Sequence, residues 1–305
     1  MRALVASLGR YARADANVLI TGESGSGKDL VARTLHQLSH RRSQPFVVVD
    51  CPGLPPSLIE AELFGHEVGA FTDATLARPG RFEQAGEGTV YLDRVDELPI
   101  EAQGKLLRLV EQKHVERLGS SVAVPVRARV VASASSNIEQ AVREGRFRMD
   151  LYHRLRVLPV HVPPLRERAG DLPTLARRLV AEIAKAMGRR RPSLTPEALQ
   201  ALAAYDWPGN ARELRHVLER ALMTSAETSI GPADLPDVLG SPERTARGAT
   251  AARPTLDALE RQYIEFILRE TRDNQSRAAR VLGISRKALW EKRKRYAKER
   301  TTSDE

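Results

Sequence analysis

The stretch Gly22-Glu23-Ser24-Gly25-Ser26-Gly27-Lys28 follows the apolar run Val18-Leu19-Ile20 after a single residue and leads into Leu30, Val31, Leu35 and Leu38 at helical spacing. A glycine-rich loop between a buried strand and a helix restricts the chain to an α/β sheet that offers the loop at the carboxyl end of a strand. Small residues there let backbone N–H groups point inward at phosphate oxygens, and the helix N-terminus adds its positive dipole. Lys28 is placed to neutralise β- and γ-phosphates, with Asp29 where such loops usually carry a hydroxyl. Gly22, Glu23, Ser24, Gly25, Ser26, Gly27, Lys28 and Asp29 are therefore the candidate nucleotide-binding residues. A glycine turn that holds no ligand is the plainer alternative.

The pattern around the loop repeats. Phe46-Val47-Val48-Val49, Val90-Tyr91-Leu92, Val130-Val131-Ala132 and Val157-Leu158-Pro159-Val160 read as further buried strands, with Leu106, Leu107 and Val110 at helical spacing between them. Strand and helix in alternation imply a parallel sheet covered by helices on both faces. After Pro163-Pro164 only helical patterns follow, at 172–187, 196–205 and 211–224, with Asp206-Trp207-Pro208-Gly209-Asn210 as a turn. The expected organisation is an α/β nucleotide-binding core over 1–165, a helical lid over 166–239, a flexible linker over 240–254 and a small all-α domain over 255–305. The linker assignment rests on 240–253, which contains no large apolar residue.

Composition narrows the class. No run of eighteen apolar residues exists to span a membrane as a helix, and the N-terminus has no secretory pattern, so a cytoplasmic protein with no membrane partner is expected. The single cysteine, Cys51, can make no internal disulfide and reads as a small buried residue. Lys+Arg 48 against Asp+Glu 39 leaves a net charge of +9. Thirteen basic and seven acidic residues lie between Thr255 and Arg300, so that end carries +6 and suits a polyanion.

A second element completes the first. Val90-Tyr91-Leu92 ends in Asp93, a strand-end carboxylate able to reach a magnesium shell on a nucleotide. From Gly22 onward, six ordered stretches then resemble the central domain of bacterial sigma-54-dependent activators, the NtrC family of AAA+ ATPases. They are the glycine loop, Glu62-Leu63-Phe64-Gly65-His66-Glu67, Gly69-Ala70-Phe71-Thr72-Asp73-Ala74, Gly145-Arg146-Phe147-Arg148-Met149-Asp150-Leu151, Pro163-Pro164-Leu165-Arg166-Glu167-Arg168 and Trp207-Pro208-Gly209-Asn210-Ala211-Arg212-Glu213-Leu214. The resemblance covers nearly all of residues 1–239. It implies a P-loop AAA+ sheet with a helical lid and ATP hydrolysis in a ring, usually a hexamer, that remodels sigma-54 RNA polymerase.

Carried over by position, Lys28 and Asp93 would hold ATP and Mg2+. Arg148 and Arg154 would act as arginine fingers on a neighbouring subunit's nucleotide, and Arg212 would be the lid arginine that senses the γ-phosphate; a planar, permanently charged fork suits all three. Gly69, Ala70, Phe71, Thr72, Asp73 and Ala74 resemble the loop that contacts sigma-54, with Phe71 as an exposed aromatic tip, against the plainer alternative of a ring packed on its own domain, and Asp73 where the family usually has Gly. The family pattern also leads to the expectation that part of the segment on the adenine side is missing from this chain, and that no receiver or sensory domain precedes the loop.

Three departures cluster. The family's Asp-Glu strand end reads Asp93-Arg94, its Asn partner reads Asp50, and its Thr-Asn sensor reads Ala134-Ser135. An arginine accepts no proton at neutral pH. Asp50 and Arg94 are expected to form an ion pair in place of the Asn–Glu switch, leaving a chain that binds ATP and turns it over slowly or not at all. In the alternative, Asp96 or Glu97 takes over the attacking water.

The C-terminal segment has a helix, a Gly283 turn and a second helix opened by Ser285. Ala278, Ala279, Val281, Leu282, Ile284 and Leu289 are expected inside. It resembles the Fis-type helix-turn-helix, which implies an enhancer-like DNA site contacted by Ser276, Arg277, Ser285, Arg286, Lys287, Trp290 and Arg293. Two readings follow: an ATP-driven remodeller of sigma-54 polymerase, or a nucleotide-gated DNA-binding protein, repressor or partner of an active relative, that turns over no ATP.

Overall fold

The computed structural model describes residues 2–53, 55–72, 74–225 and 229–236, and, nearer the C-terminus, 264, 267, 268, 271, 274–286, 288–290 and 292. Two compact units divide the chain, Met1–Thr245 and Ala246–Glu305. In the first, α1 (Arg2–Arg13) leads through β1 (Val18–Thr21) and the glycine loop into α2 (Lys28–Leu38). Then come β2 (Phe46–Asp50), α3 (Pro56–Phe64), the short strands β3 (Gly65–His66) and β4 (Arg78–Pro79), α4 (Arg81–Gln84) and β5 (Thr89–Asp93). They are followed by α5 (Ile100–Gln112), a hairpin of β6 (His114–Glu116) and β7 (Ala123–Pro125), β8 (Arg129–Ala134), α6 (Ile138–Arg143), α7 (Met149–Leu155) and β9 (Leu158–His161).

The five long strands form one sheet in the order β2-β5-β8-β1-β9, every neighbour parallel. Side chains alternate across it. Val18, Ile20, Tyr91, Val131 and Val160 pack against Leu8 and Ala12 of α1 and Val31, Ala32 and Leu35 of α2. Leu19, Val90, Leu92, Val130 and Ala132 meet Leu63 of α3, Leu106 and Leu109 of α5 and Leu151 and Leu155 of α7. Both faces are therefore covered, which is why these strands are apolar throughout instead of alternating. Crossover helices force all five strand ends that matter onto one edge: Asp50 lies opposite Asp93, and Thr21, the residue before the glycine loop, lies opposite Ala134. Ligands of open parallel sheets bind at such an edge.

On α2, Val31 and Leu35 turn inward as their spacing predicts, but Leu30 and Leu38 are exposed. A stripe of four apolar residues is wider than the sheet face it meets. Cys51 is buried and unpaired, and burial pushes its thiol pKa upward, which keeps it unreactive.

The lid is built from α8 (Leu172–Ala186), α9 (Pro196–Ala203) and α10 (Asn210–Thr224), with short parallel strands β10 (Ser193–Leu194) and β11 (Ser229–Ile230) beside them. Its core gathers Leu179, Val180, Ile183, Leu202, Leu214 and Leu218 around Trp207. Trp207 is 1% exposed, its indole N–H donates to the Leu202 carbonyl at 2.8 Å and its ring meets Tyr205 edge-on at 5.1 Å. Its backbone takes a left-handed φ of 53°, unusual for a bulky residue, and this packing is what pins it there.

The second unit is described on its own. Ile264, Ile267, Leu268, Ala278, Ala279 and Leu289 form its core, with Leu282 and Ile284 partly buried against it. Val281, expected inside, is 55% exposed. Asn274 accepts the Arg277 N–H at the start of α11 (Gln275–Val281), Gly283 turns the chain at φ 66°, and Ser285 Oγ accepts the Ala288 N–H at the start of the next helical stretch. Arg277, Ser285, Arg286 and Trp290 are exposed. Ser276 falls within α11, whereas Lys287 and Arg293 lie outside the described residues, as does the whole 240–254 linker.

Replacing Trp207 by Ala should remove about 3–5 kcal/mol from the lid through lost burial and the cavity left behind. Chemical unfolding followed by circular dichroism checks this; a change under about 1 kcal/mol would contradict the packing described.

Candidate functional site

The site grows out of the edge where β1, β5 and β8 end. Gly25 (φ 72°) and Gly27 (φ 104°, at the N-terminus of α2) bend the loop back over the helix in a conformation that L side chains avoid. Lys28 is partly buried, and its ammonium donates to the carbonyls of Gly22 at 2.8 Å and Glu23 at 3.1 Å. Burial pushes its pKa down, opposed by the carboxylates of Asp93 and Asp96. A desolvated cation held only by neutral carbonyls is ready for an anion. Ser26 Oγ is buried with no hydrogen-bond partner, a second free polar group in the loop. Asp29 instead pairs with Arg33 at 3.1 Å on the exposed side of α2.

Strand register assembles the acidic side. Asp93 Oδ1 accepts from Tyr91 Oη at 3.0 Å and from Ser133 Oγ at 2.5 Å, while Ser133 Oγ itself accepts the Arg94 N–H at 3.0 Å. Arg94 sits in a left-handed turn (φ 57°) and donates from Nη2 to Asp50 Oδ1 at 2.9 Å. Those two side chains are 48% and 55% exposed, so the pair is worth at most about 1 kcal/mol. Asp96 Oδ2 accepts the Ser135 N–H at 3.1 Å, and its buried Oδ1 has no hydrogen-bond partner. Ala134, as its sequence departure implies, offers only a methyl group at the end of β8. Among the described residues no group of three His, Cys, Asp or Glu side chains could hold a metal by itself. The residues present fit Mg2+ only as an ion that arrives with phosphate and water ligands and takes one or two carboxylates, Asp93 first.

The lid closes directly on the loop. Arg166 forks onto Glu23 at 2.6 and 2.8 Å, and the fully buried Asn210 donates from Nδ2 to Glu23 at 3.0 Å and to the Ser24 carbonyl at 3.0 Å. Asn210 Oδ1 accepts the Leu165 N–H at 2.7 Å, the Ala211 N–H donates to the Gly25 carbonyl at 3.0 Å, and Arg168 donates to the Ser26 carbonyl at 2.6 Å. Arg212 donates to Ser24 Oγ at 2.9 Å, which puts the expected γ-phosphate sensor on the loop itself. A Cβ on Gly25 would stand 2.3 Å from the Gly209 carbonyl, so the contact is possible only with glycine there. Residue spacing did not assign roles to Tyr91, Ser133, Arg166, Arg168 or Asn210. The last three lie in stretches quoted for their resemblance, and their polarity beside a loop was the available signal.

Arg148 and Arg154 project from the α7 region, both exposed and each paired with an acid, Asp150 at 2.8 Å and Glu111 at 2.8 Å. Neither side chain bonds to this chain's own glycine loop among the described residues. In the 69–74 loop, Gly69 N–H donates to the Ala74 carbonyl and Ala74 N–H to the Phe71 carbonyl, both at 2.9 Å. The expectation of an exposed aromatic tip is corrected: Phe71 is half-buried, its ring tilted at 60° against His66 at 5.0 Å. An aromatic edge on an imidazole face removes apolar area from water, and the loop folds down to make that contact. Ala70 packs against Gly119 and Thr72 is exposed, while Asp73 lies outside the described residues.

Arg166 and Asn210 hold the Glu23 carboxyl at about 2, against an ordinary 4.5. The stabilisation is complete above about pH 4.5 and is lost as pH falls toward 2. Because solvent reaches both Glu23 and Arg166, Glu23→Gln should lower stability by roughly 1 kcal/mol at pH 6. The gap between wild type and variant should shrink steadily between pH 4.5 and 2; a gap independent of pH in urea titrations would show that the pair contributes nothing.

The comparisons with known proteins agree with this geometry. Residues 1–161 match the sigma-54 interaction domain, 166–252 the AAA+ ATPase lid domain and 255–296 the bacterial regulatory protein, Fis family. The DNA-binding transcriptional activator HyfR of Escherichia coli is 41% identical over 302 residues, covering 95% of this chain and 45% of that protein. The regulatory protein AtoC of the same organism is 40% identical over 294 residues, covering 94% and 64%. The chain thus spans about half to two thirds of the length of these relatives. The crystal structure of NtrX from Brucella abortus superposes with a TM-score of 0.77 at 35% identity, over 96% of this chain and 66% of that one; its complex with ATP gives 0.73 at 34%, over 96% and 67%. With a parallel P-loop sheet, a lid docked on the loop and a Fis-type C-terminal unit, the chain belongs to the NtrC family of sigma-54-dependent AAA+ transcriptional activators.

Proposed function

We propose that this chain binds ATP with Mg2+ at the loop of Gly22–Lys28, binds DNA through its C-terminal unit, acts on sigma-54 RNA polymerase through the loop of residues 69–74, and turns ATP over slowly or not at all. The observation that carries the last part is the guanidinium of Arg94, paired with Asp50, at the strand end where the family places its water-polarising carboxylate. A permanently protonated group cannot serve as base, and loss of a general base costs about 10²–10⁴-fold in rate. Asp96 and Glu97 are the alternatives for that role; one Asp96 oxygen is committed to the Ser135 N–H and the other is buried. Lys28 and Arg212 supply the charge for the phosphates, and Asp93 the carboxylate for the metal.

Arg148, just before α7, and Arg154, on it, are exposed and suit a role toward a neighbouring copy in a ring, a hexamer by family precedent. The domain boundaries near 165, 239 and 254 belong to the same reading, as does a cytoplasmic location; among the described residues no helix is long and apolar enough to cross a membrane. A second reading is favoured by the same Asp50/Arg94 pair: nucleotide sets DNA affinity or assembly, and no turnover takes place.

Turnover measured with Mg2+ and ATP should lie at least about 10²-fold below that of an Asp50→Asn/Arg94→Glu variant, which restores the family's pair. Family-typical turnover in the wild type refutes the reading. Transcription from a sigma-54 promoter with hydrolysable and non-hydrolysable ATP then separates the two versions. For the DNA unit, Arg286→Ala should weaken binding and reduce the slope of log affinity against log salt by about one. Unchanged affinity and slope in a gel-shift titration would remove Arg286 from the interface.

A further inference from the structure

We propose that Arg94 is a γ-phosphate ligand of this chain's own nucleotide site, a guanidinium held by Asp50 that transfers to the terminal phosphate of a nucleoside triphosphate, so that the site separates triphosphate from diphosphate by binding alone. The inference rests on the ATP reading above and adds to it a positive role for the residue that departs from the family.

The backbone of Arg94 is fixed while its side chain is not. Its N–H is anchored to Ser133 Oγ, which also holds Asp93, so the left-handed turn is tied to the end of the sheet. Its guanidinium has five donors in a planar fork, and the structure engages it with Asp50 through a single Nη2 bond, half open to water. A pair so exposed gives way readily to a multiply charged phosphate, which accepts the fork bidentately.

Two cations sit on the loop and a third follows a nearby strand end. Lys28 lies in the loop, Arg212 reaches it from the lid through Ser24, and Arg94 follows β5, with one strand, β8, between it and the β1 end that opens the loop. Burial is the first cause of the lowered proton affinity of Lys28, and the charges of Arg212 and Arg94 add to it. Asp93 and Asp96 offset part of that charge from the metal side.

Calorimetry on the full chain with ADP, ATP and a non-hydrolysable ATP analogue, each with Mg2+, tests the proposal. Arg94→Ala should lose about tenfold or more in affinity for both triphosphates while ADP affinity stays within about twofold. Asp50→Asn, which leaves position 94 intact and frees the guanidinium, should bind triphosphate more tightly than wild type and leave ADP unchanged. Equal losses for ADP and triphosphate in Arg94→Ala, or no change in either variant, overturn the proposal and leave ATP binding standing. No heat with any nucleotide on the folded wild type removes the ATP reading and this inference with it.

Discussion

The lid and the glycine loop touch through backbone, and that contact sets what the rest of the molecule can do. Gly25 has no room for a side chain because the Gly209 carbonyl occupies the space, and the Ala211 N–H completes the contact on the Gly25 carbonyl. Around it Glu23, Arg166 and Asn210 form a buried-to-exposed gradient of polar bonds that lock the loop's first half. Asn210 pays for its left-handed backbone by satisfying three loop and lid groups at once. A lid so attached reports the shape of the loop directly, without intermediate elements. Arg212 rides on the same helix, so any anion that rearranges the loop also meets that arginine.

The sheet supplies the other half of the site by register. Asp50, Asp93 and Ser133 come from strands far apart in sequence, and each reaches the edge only because β2, β5 and β8 run parallel and in step. Slipping any of them by one residue would turn its side chain to the opposite face. The apolar interior of the sheet, covered on both sides, is what prevents such a slip. The stability of the core and the geometry of the phosphate edge are therefore one property.

Much of this was legible. Five strands, the glycine loop and the lid helices followed from period and context, because long buried strands and capped helices carry strong local signals. The Asp50/Arg94 contact was legible only through a resemblance that placed two positions side by side; nothing in spacing alone pairs residues 44 apart. Ser133 carries no linear signal, since a serine in a buried strand reads as filler and its meaning depends on a neighbour's carboxylate. Phe71 was placed outward by its surroundings of small residues, yet His66 a few residues earlier supplies a partner that no linear pattern announces. Leu30, Leu38 and Val281 show the limit of periodicity: it finds a helix, and the width of the opposing surface decides how many apolar residues it covers.

The division of labour within the site explains how such departures can accumulate without loss of fold. In the proposed reading phosphate recognition rests on backbone amides, Lys28 and the lid, all of which match the family's pattern. On that reading the departures from water activation lie at three strand ends, of which Ala134 is buried while Asp50 and Arg94 are half exposed and contribute little to packing. Exchanging an uncharged-acid pair for an acid-base pair at 94 and 50 leaves the sheet's core untouched, because neither side chain reaches it. Ser133, which is fully buried, follows a different rule: it must satisfy its hydroxyl, and it does so by binding Asp93 and the Arg94 N–H together. The turn that carries the guanidinium is thus built into the sheet's own hydrogen bonding through a backbone N–H, so the turn is kept whichever side chain stands at position 94.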